Sequence, residues 1–163
     1  MNQKLKDKLL KILNEEKGLY LELLKIAEEK HEALVENDTE KLLETVEKDK
    51  DIISKIEADE EKRNEIVSEI IEHFKIDDEN KSYSKLVKSL PEDWKKALDP
   101  LREDLIEITD KFQKINIENH SLLKQSLEFN QLSIDTILNS IQDEDITYSK
   151  DKIEQPKLLN RQG

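Results

Sequence analysis

Glu28-x-x-His31 is the pair in this chain whose spacing fits metal chemistry. Residues three apart share one face of a helix, and a Glu and a His so placed can enter a di-iron carboxylate site. Such a site needs a second Glu-x-x-His pair and further inward carboxylates. His73 has Ile70 at the matching position and His120 has Ile117. No metal site and no cofactor is therefore expected, and the histidines read as surface or seam residues. Carboxylates are abundant, 39 Asp and Glu in all, but they alternate with lysines along helix faces. That pattern marks solvated surface with weak support between residues four apart. General acid–base catalysis needs a pocket that shifts pKa values, and no Ser-His-Asp arrangement stands out. The chain does not read as an enzyme.

The second kind of chemistry is adhesion. From Asn116 to Ile141 the sequence NIENHSLLKQSLEFNQLSIDTILNSI is apolar on two helix faces. One stripe holds Leu122, Phe129, Leu132 and, slightly offset, Ile137. The other holds Leu123, Leu127, Ile134, Leu138 and Ile141. A helix packed on one internal neighbour needs one stripe of roughly 100°, so two stripes call for a second partner. Ser126, Asn130 and Ser133 dilute the surface, which limits self-association while leaving a groove usable.

Composition narrows what can hold such a surface. The 163 residues are 35% hydrophobic and 40% charged, a mix suited to narrow seams along long helices rather than a thick interior. The glycines are Gly18 and Gly163 alone, so phosphate-cradling loops of the Walker or dinucleotide type are excluded. A net charge of −12 disfavours nucleic acid and anionic membranes, both of which reward an excess of Lys and Arg. There is no cysteine, hence no thiol chemistry. The start, MNQKLKDKLLKIL, is not a secretory signal, and no apolar run approaches membrane-spanning length. A cytoplasmic protein without stable membrane insertion is expected.

Heptad-like spacing predicts a first helix from about Gln3 to Glu36, with Leu13, Tyr20, Ala27 and Leu34 seven apart and Leu9, Leu23 and Leu24 beside them. Asn37-Asp38-Thr39 reads as a turn, with Asp38 as N-cap of a second helix from about Thr39 to Lys75. Its expected seam is Leu42, Val46, Ile53, Ile56, Val67, Ile70 and Phe74. Glu60 and Arg63 take seam positions in its middle, which predicts a wet centre with these two paired across the seam. A short helix is expected over Tyr83 to Leu90, and Ser89-x-x-Glu92 resembles a capping box with Pro91 in the first turn of the last helix. Pro100 is expected to kink or restart that helix. Its seam is Leu101, Leu105, Ile108, Phe112, Ile115 and Leu122, interrupted by Asn119, and it reaches Ile141. Short turns favour antiparallel neighbours. The fold expected is all-α: an elongated antiparallel three-helix, coiled-coil-like bundle with a short extra helix over residues 1–142. A flexible C-terminal tail is expected over 143–163.

The block Asn119-x-x-Leu122-Leu123-x-x-Ser126-Leu127-x-Phe129 resembles the signature near the end of the long helix in FlgN, the flagellar type III export chaperone family. Upstream, Tyr20-x-x-Leu23-Leu24-x-x-Ala27-x-x-Lys30-x-x-Ala33-Leu34, then Asp38, Leu42-Leu43 and Glu60 with Arg63, are similar to the first helical hairpin of that family. Tyr148 in a polar tail and the terminal Leu158-Leu159-Asn160-Arg161 match it as well, although Ser149-Lys150-Asp151 replaces a common glycine and Asn160 a common acid. The resemblance implies a chaperone that binds C-terminal helical segments of the hook–filament junction proteins FlgK and FlgL. It would prevent their early assembly and deliver them to the cytoplasmic domain of the export gate protein FlhA. By that resemblance Leu122, Leu123, Ser126, Leu127 and Phe129 would belong to the client-binding region and Tyr148 would contact the gate; Asn119, Asn130, Ile134, Ile137, Leu138 and Ile141 of the same apolar segment are expected to complete that region. The alternative left open by the residues alone is a homodimeric structural or regulatory coiled coil that buries the same stripes.

Overall fold

The structure, a computed structural model, describes residues 2–77 and 83–142 and is an all-α helical bundle. Its elements are α1 (Asn2–Glu36), α2 (Thr39–Phe74), α3 (Tyr83–Lys88) and α4 (Glu92–Gln142). The chain divides into two compact units, 1–117 and 118–163. The described part of the second is the later portion of α4.

With so little glycine, the helix ends are closed by other residues. Asn37 takes a left-handed φ of 56° after α1, and Lys75 takes 53° after α2. At each end two amides turn back onto the last turn: Asn37 and Asp38 bond Leu34 and Ala33, while Lys75 and Ile76 bond Glu72 and Ile71. That is the Schellman arrangement, and Ile76 adds its apolar contact by packing on the core. The expected cap at Asp38 is present, its carboxylate accepting the Lys41 amide at 3.1 Å.

The first unit holds two apolar clusters. In one, Leu5, Leu9, Ile12 and Leu13 of α1 meet Ile70 of α2, Leu90, and Trp94, Leu98 and Leu101 of α4. Trp94 meets Phe74 edge-on at 5.3 Å, a favoured aromatic geometry. The other joins Leu23 and Ile26 to Ile52 and Ile56, with Leu19, Tyr20 and Phe112 against it. Each such buried side chain contributes roughly 1.5–3 kcal/mol in transfer terms.

Ion pairs record how the helices run. Lys8–Glu69, Glu29–Lys48 and Glu32–Lys41 descend on α2 as they ascend on α1, so this hairpin is antiparallel. Lys6–Asp93 and Lys17–Asp104 ascend together, so α1 and the first part of α4 are parallel. Exposed pairs of this kind are each worth about 0–1 kcal/mol and read out register more than they stabilise it.

Four local expectations are corrected. Arg63 does not pair with Glu60: its Nη1 donates to Glu16 Oε2 of α1 at 2.8 Å. In the first half of α2, Val46 and Ile53 are exposed while Thr45 and Ile52 are buried, one residue off the expected seam at those two positions; Ile56 and Ile70 are buried as expected. Thr45 can be buried because its hydroxyl donates to the Leu42 carbonyl at 2.6 Å and so is not orphaned. Ser89 does not cap α4, since its hydroxyl donates back to the Lys85 carbonyl. The carbonyl of Pro91 accepts the Trp94 and Lys95 amides instead. Finally, α4 does not restart at Pro100 but continues as helix through it. The missing N–H leaves the carbonyl of exposed Lys96, which water can satisfy.

Glu16 is 1% exposed and sits along α1 between the two clusters. Burial pushes its carboxyl above the ordinary 4.5, Arg63 opposes the rise, and Glu60 and Asp59 add to it. Burial likewise raises the Tyr20 hydroxyl above 10.0, helped by Glu60 and Glu16. Because the raised pKa favours the protonated carboxyl in the fold, Glu16's contribution is complete below pH 4.5 and is lost as pH climbs through its native pKa. Urea midpoints of the natural chain and of Glu16→Gln, compared between about pH 5 and 8, should therefore diverge against the natural chain as pH rises; parallel curves would contradict the assignment. Arg63→Ala should cost about 3 kcal/mol, the low edge for a broken buried pair because the guanidinium is partly exposed, while Glu16→Leu with Arg63→Leu should restore most of it.

Candidate functional site

The second unit is described as helix from Glu118 to Gln142. Glu118, Lys124, Glu128 and Asp135 are its charged residues, in a chain that is 40% charged. The segment is helical by the same periodicity that drives the bundle, and Gln131 Nε2 to Asp135 Oδ1 at 3.1 Å joins one exposed face at i,i+4 spacing. The Thr136 hydroxyl is turned back to the Leu132 carbonyl at 2.9 Å. The Oε1 of Gln131 is buried without a hydrogen-bond partner among the described residues.

The two stripes differ in exposure. Phe129 is 68% exposed, Leu132 64% and Ile137 59%. Leu122, Leu123, Ser126, Leu127, Ile134 and Leu138 are half-buried, and Asn130 is exposed. Asn119, also among the expected contact residues, is 3% exposed. Ile141 lies in the helix, but its side chain is outside the described residues, and so are Tyr148 and all of 143–163. An apolar surface of this kind does no bond chemistry. It can bury another apolar surface. Leu132, absent from the expected contact set, shares this exposure and lies on the stripe that holds Phe129.

Sequence reasoning missed a cleft in the first unit. An open cleft of about 440 Å³ lies between Leu9 and Leu13 of α1, Arg63, Asn64 and Val67 of α2, Leu86 and Val87 of α3, and Leu98, Arg102, Leu105 and Ile106 of α4, with Leu90 beside them. Arg63 at a seam position was the single hint of it. Among the described residues, no group of three or more His, Cys, Asp or Glu is arranged to hold a metal ion. No described helix is long and apolar enough to cross a membrane.

Comparison with known proteins gives one match. The family model described as FlgN protein matches residues 1–156. No curated protein matches the chain, and no solved structure matches it.

The exposure difference separates the two stripes experimentally. Phe129→Asp and Leu132→Asp should leave the urea midpoint within about 0.5 kcal/mol of the parent, as substitutions at exposed positions do. Leu123→Asp, half-buried, should cost about 1–3 kcal/mol. Loss of helical circular dichroism on Phe129→Asp would make that ring a core group and remove the exposed face.

Proposed function

The chain belongs to the FlgN family of flagellar export chaperones, a chaperone family rather than an enzyme family, and on that premise we propose that the outer face of α4 is its client-binding surface. The observation that carries the proposal is the exposure of Phe129, Leu132 and Ile137 on one helix. The clients are the C-terminal helical segments of FlgK and FlgL, and the exchange takes place in the cytoplasm. An amphipathic client helix lays its apolar face on this stripe, the helix-in-groove mode of recognition. Leu122, Leu123, Ser126, Leu127, Asn130, Ile134, Leu138 and Ile141 flank the outer ridge, while buried Asn119 positions the helix rather than touching the client.

The energetics suit a reversible hold. Each Leu, Ile or Phe sealed by the client gains roughly 1.5–3 kcal/mol, and lost motion and ordering of the client offset much of the sum. Covering this face prevents the client segment from joining its own assembly partners. Hand-over runs through residues 143–163, with Tyr148 contacting the cytoplasmic domain of FlhA. An unbroken apolar stripe also suits a coiled-coil homodimer, and peptide titration with light scattering separates the two.

Isothermal titration of C-terminal FlgK and FlgL peptides should give saturable 1:1 binding. Combining Phe129→Asp with Leu132→Asp should weaken it at least about tenfold, equivalent to about 1.4 kcal/mol, with helix content kept. Tyr148→Ala should retain peptide binding and lose capture of the FlhA cytoplasmic domain. A stable dimer by light scattering that ignores both peptides would replace this function with the homodimer.

A further inference from the structure

The cleft of the first unit has a composition that the rest of the chain does not share. Asp and Glu outnumber Lys and Arg by 39 to 27, yet among the described residues no carboxylate lines it. Its polar lining is Arg63, Asn64 and Arg102, all carrying N–H donors. Its floor includes Leu9, Leu13 and Leu98, each almost completely buried. Basic mouth and apolar floor together select an anion with an apolar tail.

We propose that this cleft binds a small amphiphilic carboxylate of the fatty-acid class, its chain against the accessible Val67, Val87, Leu105 and Ile106 and its head at the two guanidinium groups. Size favours a small molecule. The volume, about 440 Å³, falls within the roughly 300–1,000 Å³ of small-molecule sites. A helix about 10 Å across would fill it in roughly one turn, too little for a docked peptide helix. Arg63 already holds Glu16 through Nη1, and Arg102 also has a partner. A guanidinium carries five N–H donors in a fixed fork, so an incoming carboxylate adds to these contacts. Planar, bidentate capture of carboxylate is what arginine does better than lysine. The site draws on no residue of the client-binding face and does not depend on that assignment.

Trp94 is the sole tryptophan and packs in the same cluster as Leu9, Leu13 and Leu98, so its fluorescence reports occupancy. Titrating the full chain with dodecanoate below its micelle concentration should give a saturable 1:1 change, confirmed by calorimetry. Dodecanol, equal in chain but uncharged, should bind at least about tenfold more weakly. Arg102→Gln, at an exposed position, should weaken dodecanoate by a similar factor without altering dodecanol. Val87→Phe should fill the cleft and abolish binding of both while its melting temperature holds. The proposal is overturned by three outcomes: no saturable binding, equal binding of the alcohol and the acid, or a fluorescence change that tracks a doubling of mass, which would make a second copy the occupant. None of these readouts involves a flagellar client, so failure here leaves the client-binding proposal standing, and the reverse also holds.

Discussion

A carboxylate buried to 1% exposure has to meet a cation, and the meeting of Glu16 with Arg63 constrains the whole first unit. The pair sits between the two apolar clusters on both helices. Sliding α1 along α2 would leave the carboxylate buried without its guanidinium, at a cost of about 3 kcal/mol or more. Apolar seams alone tolerate slippage, since leucine against leucine is nearly the same contact one turn on. The ion pair is not interchangeable in this way. Its own net stabilisation is small, because desolvation consumes most of the attraction. The raised carboxyl of Glu16 is the signature of that expense.

With α1 and α2 held in register, the remaining elements follow by shape. Trp94 and Leu98 bring the start of α4 against Leu5, Leu9 and Ile70. Phe112 packs against the second cluster. Lys6–Asp93 and Lys17–Asp104 align α4 parallel to α1 at the surface. α3 adds Leu86 and Val87 above the leucine floor, and the gap it leaves is the cleft. A cavity of this kind arises where a helix of only six residues spans a junction of three long ones.

The later part of α4 obeys a different rule. A chain with only 35% hydrophobic residues leaves Phe129, Leu132 and Ile137 where solvent still reaches them. Phe129, Leu132 and Ile137 in water cost stability relative to polar residues and invite aggregation. A chaperone retains such a surface because its partner must be released again. A net charge of −12 adds repulsion between copies.

The sequence by itself determined the helical class, the positions of α1 and α2 and the end of α4 to within a residue or two, the Asp38 cap and the two-striped segment, because each follows from local spacing and side-chain chemistry. Its family signature was carried by short-range blocks for the same reason. Only the tertiary structure decided which face of the first half of α2 is inward. Val46 and Thr45, or Ile53 and Ile52, are neighbours on one helix, and periodicity separates them only once the partner's direction is known. It also decided that Arg63 reaches across to Glu16 on another helix instead of Glu60 on its own, and that Phe129 is exposed while Asn119 is buried. Apart from Arg63 at a seam position, the cleft was hidden in the sequence, since its walls come from four separate elements and its chemistry exists only where they converge.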